Sequence, residues 1–106
     1  MKFTFFLISL LLAFPAFAGM EERTIVIKDH KFTPAEVTIP ADTRVKFTID
    51  NQDPTPEEFE SNDFHREKVI PGNSKGVVLV GPLKPGTYKF FGEFNLDTAQ
   101  GILKVE

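Results

Sequence analysis

Apolar and polar residues alternate along most of the chain from residue 24 onward. Thr43–Asp50 is the clearest stretch: Val45, Phe47 and Ile49 share one face, and Arg44, Lys46 and Thr48 the other. A period of two puts successive side chains on opposite faces of an extended backbone, so this stretch predicts a half-buried strand. The same pattern predicts strands at Thr24–Asp29, with Ile25 and Ile27 inward, and at Glu36–Pro40, with Val37 and Ile39 inward. Phe59 marks a short strand. Glu67–Ile70, the Val-rich Lys75–Gly81, Thr87–Glu93 and Gly101–Glu106 complete the series, the last with Leu103 and Val105 inward. Turn signals separate these runs at Thr33-Pro34, Asp53-Pro54-Thr55-Pro56, Pro71-Gly72-Asn73 and Lys84-Pro85-Gly86. No stretch sustains a helical period, although Asn95–Gln100 has room for one turn. Short strands with turns between them predict a single all-β domain over residues 19–106, an antiparallel β-sandwich with Greek-key connections.

Residues 1–18 break the alternation. Lys2 is their only charge, Phe3 to Phe14 is apolar apart from Thr4 and Ser9, and Pro15 ends the run. Ala16-Phe17-Ala18 has the small-x-small form of a signal-peptidase site, so the segment reads as a signal peptide cut after Ala18. The apolar run is short for a membrane span, and no second one follows to support an uncut anchor. The expectation is export to the periplasm, with no stable membrane insertion after cleavage.

Charge narrows the partners. The 106 residues carry 12 Lys+Arg against 15 Asp+Glu, a formal net charge of −3. Loss of residues 1–18 removes a basic residue and no acidic one, so the exported chain is more acidic still. An acidic domain is a poor partner for nucleic acid. The chain has no Cys, which removes disulfides, thiolate metal sites and a thiol nucleophile together. Enzyme signatures are missing too: there is no Gly-rich phosphate loop, Ser-His-Asp series or zinc motif, and the reading is of a non-enzyme, with a small ferroxidase as the one enzymatic alternative.

The order of these features resembles the cupredoxin fold across nearly all of residues 24–106. Phe32-Thr33-Pro34 ends an early strand, and Val37-Thr38-Ile39-Pro40-Ala41-Asp42-Thr43 leads into the long third one. Asn51 opens a long loop, Leu83-Lys84-Pro85-Gly86-Thr87-Tyr88 enters the penultimate strand, and Gly101-Ile102-Leu103-Lys104-Val105 is the last. Tyr88 stands where a tyrosine corner would bond its hydroxyl to upstream backbone, though a half-buried Tyr reads the same. Blue-copper members hold copper with two His, a Cys thiolate and often an axial Met. The resemblance places that Cys near Phe91 or Gly92, one His near Asn95 or Asp97, the Met near Ala99 and the other His within Pro56-Glu57-Glu58-Phe59-Glu60. None of those ligand types is present there, so no blue-copper centre is expected.

The wording of Asn51-Gln52-Asp53-Pro54-Thr55-Pro56-Glu57-Glu58-Phe59-Glu60-Ser61, Arg66-Glu67-Lys68-Val69-Ile70-Pro71-Gly72 and Phe90-Phe91-Gly92-Glu93-Phe94 is similar to the EfeO-type cupredoxin-like family. That resemblance implies a small periplasmic protein of a bacterial iron-uptake system. Its implied partners are an inner-membrane iron permease and a periplasmic iron-binding protein. The family often has His at the position of Asn95, so Asn here takes an imidazole out of the set.

Two acidic stretches then become the candidate metal site. Glu58 and Glu60 share one face of an extended strand while Phe59 points the other way, and Glu93, Asn95 and Asp97 repeat that spacing. The fold would bring the two stretches to one end of the sandwich. Gathered carboxylates repel one another, which raises pKa values unless a cation binds. Oxygen-rich sets suit hard cations, here ferric or ferrous iron, manganese or calcium, and copper(II) also binds most ligand sets tightly; the family resemblance is what implies iron. The candidate ligands are Glu58, Glu93, Asn95, Glu60 and Glu57, with His65 downstream of the acidic loop. A solvated acidic loop and a surface His account for the same residues without a metal. His30 reads as solvent-facing, Phe90, Phe91 and Phe94 as core, and Arg66 and Lys68 as cross-strand partners of Glu60 or Glu67. The leading reading is a periplasmic metal-binding protein accessory to iron uptake, with iron or copper as its ion. The competing one is a metal-free interaction module docking on the permease or its partner.

Overall fold

A computed structural model describes residues 20–106. The expected signal peptide, residues 1–18, lies outside the described residues.

The chain forms β1 (Glu21–Lys28), β2 (Lys31–Thr33), β3 (Glu36–Ile39), β4 (Val45–Asn51), β5 (Glu57–Ser61), β6 (Arg66–Ile70), β7 (Ser74–Val80), β8 (Gly86–Gly92) and β9 (Gln100–Val105), with a 3-10 turn at Glu93–Asn95. The strands make two packed sheets, ordered β2-β1-β4-β7 and β3-β9-β8-β5-β6. Every residue that alternation assigned inward is buried, Ile25, Ile27, Val37, Ile39, Val45, Phe47, Ile49, Leu103 and Val105 among them. Burying such side chains contributes about 1.5–3 kcal/mol each, so the two apolar faces must close on one another. Phe32, Phe59 and Phe90 form the aromatic centre, with Phe90 5.2 Å from each of the other two rings. Gly101 lies against the Phe90 ring, and a Cβ there would collide with it.

The sandwich differs from the expected antiparallel one at two seams. β1 pairs with β4 in parallel, and β3 with β9 in parallel. Alternation says which side chains point inward but is blind to strand direction. The chain crosses from one sheet to the other between β2 and β3 and returns for β4, and those crossings set the parallel pairs. Tyr88 is a tyrosine corner: its hydroxyl donates to the Lys84 carbonyl at 2.8 Å.

Polar groups hold the loops at the end near β5. Asn51 is buried, and its amide nitrogen donates to the carbonyls of Thr55, Ile70 and Pro71. The Asp53 carboxylate accepts the backbone N–H groups of Asp29 at 2.8 Å and His30 at 3.0 Å. Those two residues form the tip of the β1–β2 hairpin, at φ 52° and 57°. Two successive left-handed residues suit the twist of a two-residue hairpin, and Asp53 compensates for the lack of glycine there.

Candidate metal centre

The four positions where a blue-copper centre would find its ligands do converge, but as a closed hydrogen-bonded knot. Glu57, at 1% exposure, faces inward with Phe59 and Ser61. Its Oε1 accepts from the Glu58 N–H at 3.0 Å and the Phe94 N–H at 2.9 Å. Its Oε2 accepts from the Asn95 side-chain amide at 2.6 Å. Three donors satisfy a carboxylate that burial would otherwise penalise heavily. Gly92 sits against this group: a Cβ on it would stand 2.7 Å from Glu57 Cδ and 2.7 Å from Ala99 Cβ. The Gly92 N–H donates to the Ala99 carbonyl at 2.9 Å, and Ala99 is buried. Among the described residues, no Cys, His or Met stands at these four positions, so they do not fit a blue-copper ion.

A different group of carboxylates gathers on the outer face of the five-stranded sheet. Glu58, Glu60 and Glu67 each offer an oxygen, and these oxygens lie within 4.8 Å of one another. The β5–β6 hairpin brings them together: Ser61 pairs with Arg66, Glu60 stands opposite Glu67, and Glu58 is one diagonal step away. Period two then turns Glu58, Glu60 and Glu67 to the same side. The ion pairs of the described residues, Arg23–Glu21, Lys46–Glu22 and Lys104–Glu36, include none of the three. The hydrogen bond that protonated Glu58 donates to the Glu67 carboxylate, partial burial and the charges of Glu67 and Glu60 push the Glu58 pKa from 4.5 up to about 7. Two carboxyl groups can share a hydrogen bond only if one of them keeps its proton, so a proton stands in for a cation. All-oxygen donors at this spacing suit a hard cation.

The remaining candidates lie elsewhere. Glu93 and Asn95 line an open depression with His30, Phe94, Leu96, Asp97 and Thr98. Glu58 and Glu93 thus belong to neighbouring segments, but their carboxylates face different surroundings. His65, exposed and at φ 56°, lines a second depression with Glu60, Arg66 and Glu67, next to the acidic trio. His30 is exposed, as the sequence predicted. Arg66 does not pair with a carboxylate; its guanidinium donates to the backbone carbonyls of Leu79 at 2.7 Å and His65 at 3.0 Å. Of the three phenylalanines expected in the core, Phe90 is buried, Phe91 is partly exposed beside Glu60, and Phe94 is half exposed. Phe94 leaves the core because the 3-10 turn after Gly92 ends the alternation.

Glu67 is the member of the trio that sequence reasoning assigned to an ion pair instead. The signal for it was the hairpin: closing Ser61 on Arg66 aligns Glu60 with Glu67.

A family model described as Cupredoxin-like domain matches residues 2–105. An uncharacterized protein of Rickettsia prowazekii (strain Madrid E) is 49% identical over 84 residues, spanning 79% of this chain and 67% of that one. Among solved structures, the fold is similar to the metal binding domain of the Cu(I)-exporting P-type ATPase CopA of Streptococcus pneumoniae D39. That match has a TM-score of 0.75 at 15% identity, covering 84% of this chain and 88% of that domain. It is also similar to auracyanin A, a "blue" copper protein of Chloroflexus aurantiacus, with a TM-score of 0.72 at 16% identity, over 83% of this chain and 100% of that one. At such identities the likeness concerns the fold alone.

Proposed function

We propose, on the premise that this chain belongs to the cupredoxin-like domain family, that it is an exported metal-binding protein whose ion sits on the outer face of β5 and β6. The observation that carries this reading is the three-carboxylate group of Glu58, Glu60 and Glu67, which takes part in none of the ion pairs given above for the described residues. A cation there relieves like-charge repulsion directly. Oxygen ligands suit hard cations such as iron, manganese or calcium, copper(II) binds most ligand sets tightly, and the family resemblance singles out iron among them. Copper-binding structural relatives support a metal role in general terms.

The finer assignment follows the EfeO-type resemblance: a periplasmic accessory to iron uptake, handing its ion to an iron-binding protein or an inner-membrane permease. Ferroxidase activity would add turnover of ferrous iron above the rate of air oxidation, and nothing in the chemistry of the trio requires it. The test is titration of the purified protein with ferrous, ferric and cupric ions, followed by calorimetry. Saturable binding that is lost in Glu58→Gln/Glu60→Gln/Glu67→Gln supports the reading. Absence of saturable binding in the unmodified protein overturns it.

A second reading has its own observation. Phe94 and Leu96 are each 50% exposed beside Glu93 and Asp97. Apolar side chains ringed by acidic ones suit a protein contact, so a metal-free module docking on a permease or its partner through this end is the competing function. Phe94→Ala/Leu96→Ala would then weaken partner capture and leave metal titrations unmoved.

A further inference from the structure

The loop between β8 and β9 is fastened to β5 by one buried side chain. Glu57 reaches the loop at two points, the Phe94 N–H at 2.9 Å and the Asn95 side-chain amide at 2.6 Å, while a third bond returns to its own strand at Glu58 N–H. The Asn95 carbonyl accepts from the Ala99 N–H at 2.9 Å and the Thr98 N–H at 3.2 Å, which closes the loop on itself. Gly92 leaves the space that the Glu57 carboxylate fills.

We infer that Glu57 is a positioning residue that does with protein atoms what a bound ion does for a ligand loop, so that this end of the sandwich is ordered without metal and closed to it. A metal approaching Glu57 would have to strip a buried carboxylate of three donors and leave the Phe94 and Glu58 amides unpaired. Each buried group orphaned in this way carries a large penalty, and Glu57 and Ala99 pack so closely on Gly92 that even a Cβ there would collide with both. The inference removes Glu57 and Asn95 from the metal set. It does not rest on the metal reading proposed above.

The experiment uses the protein with Glu58, Glu60 and Glu67 all changed to Gln, which keeps Glu57 and removes the outer carboxylates. Thermal melting is followed with chelator, with cupric ion and with ferrous ion, and amide exchange at Phe94 and Glu58 is read by NMR. The expected result is one melting temperature under all three conditions and a protected Phe94 amide throughout. In Glu57→Ala, protection at Phe94 falls to that of an open loop and the melting temperature drops by about 10 °C, as expected for orphaned buried donors. Should Glu57→Ala fail to fold, Glu57→Gln, which keeps one acceptor oxygen, supplies the same comparison. The inference is overturned if the triple-Gln protein takes up one equivalent of either ion and Glu57→Gln abolishes the uptake. It is equally overturned if chelator alone lowers the melting temperature or unprotects Phe94. An unmodified protein that binds no metal and melts independently of chelator refutes the metal reading and supports this one.

Discussion

Glu60 and Glu67 stand directly opposite each other on adjacent antiparallel strands, with Glu58 diagonal to the pair. Like charges in register destabilise a sheet, so this arrangement works against the fold unless a proton or a cation intervenes. Natural hairpins more often place opposite charges across such a register. Here the nearby Arg66 is turned away to the backbone of β7.

The proton's contribution has a definite sign. Glu58 is raised from 4.5 to about 7 in the folded protein, first by its hydrogen bond with Glu67. Between those values the folded state binds the proton and the unfolded state does not. Stability from this group is therefore full below about pH 4.5 and is lost as pH rises through about 7. Melting temperatures measured without metal from pH 5 to pH 8 should fall more steeply in the unmodified protein than in Glu67→Gln. Equal slopes would mean that the carboxyl pair is not coupled.

Gly92 is required by its neighbours. Gly92→Ala puts a methyl group 2.7 Å from both Glu57 Cδ and Ala99 Cβ. Overpacking of this kind costs about 1–3 kcal/mol, roughly 10 °C in a domain of this size. Combining it with Glu57→Ala should give less than the sum of the two losses, because the second change removes one of the two obstacles and leaves only the Ala99 Cβ. Strict additivity in a double-mutant cycle of chemical denaturation would refute the contact.

The β1–β2 hairpin tip depends on a residue far away in sequence. Asp53→Ala removes the acceptor of the Asp29 and His30 amides and should destabilise by about 1–3 kcal/mol. Replacing Asp29-His30 by Asn-Gly, the pair best suited to two left-handed residues, should instead raise the melting temperature by a few degrees, about 1 kcal/mol. A tip that responds to neither change is not held by Asp53.

Two arginines close the open sides of the sandwich. Arg66 on edge strand β6 donates to the Leu79 carbonyl of edge strand β7, and Arg23 on β1 donates to the Thr38 carbonyl of edge strand β3 at 3.1 Å. Each joins one sheet to the other where no ladder does. Arg66→Ala should lower stability by about 1 kcal/mol, the scale of one exposed hydrogen bond. It should also raise aggregation on heating, because the edge of β7 is uncovered. Unfolding monitored together with light scattering separates the two effects, and an unchanged scattering onset would show that Arg66 does not guard the edge.

The strands and the inward faces were legible in the order of residues, because period two and turn chemistry are local properties, whereas Tyr88 read equally as a corner or a half-buried ring until its bond to Lys84 was seen. Alternation identified Phe59 and Val45 as core as surely as the coordinates do. The lack of Cys likewise excluded a blue-copper centre before any fold was known. What local pattern could not decide was where the acidic side chains go. Glu57 and Glu58 are neighbours of the same chemistry, yet one is buried in a hydrogen-bonded knot and the other joins a carboxyl group on the outer face. Half a period separates them, and which half faces inward matters only once β8 and its 3-10 turn supply the donors. Glu67 joined the trio through hairpin register, while Glu93, in the 3-10 turn after Gly92, lines a separate depression. Identity and spacing set the inventory of ligands, while the pairing of distant strands chose which carboxylates meet.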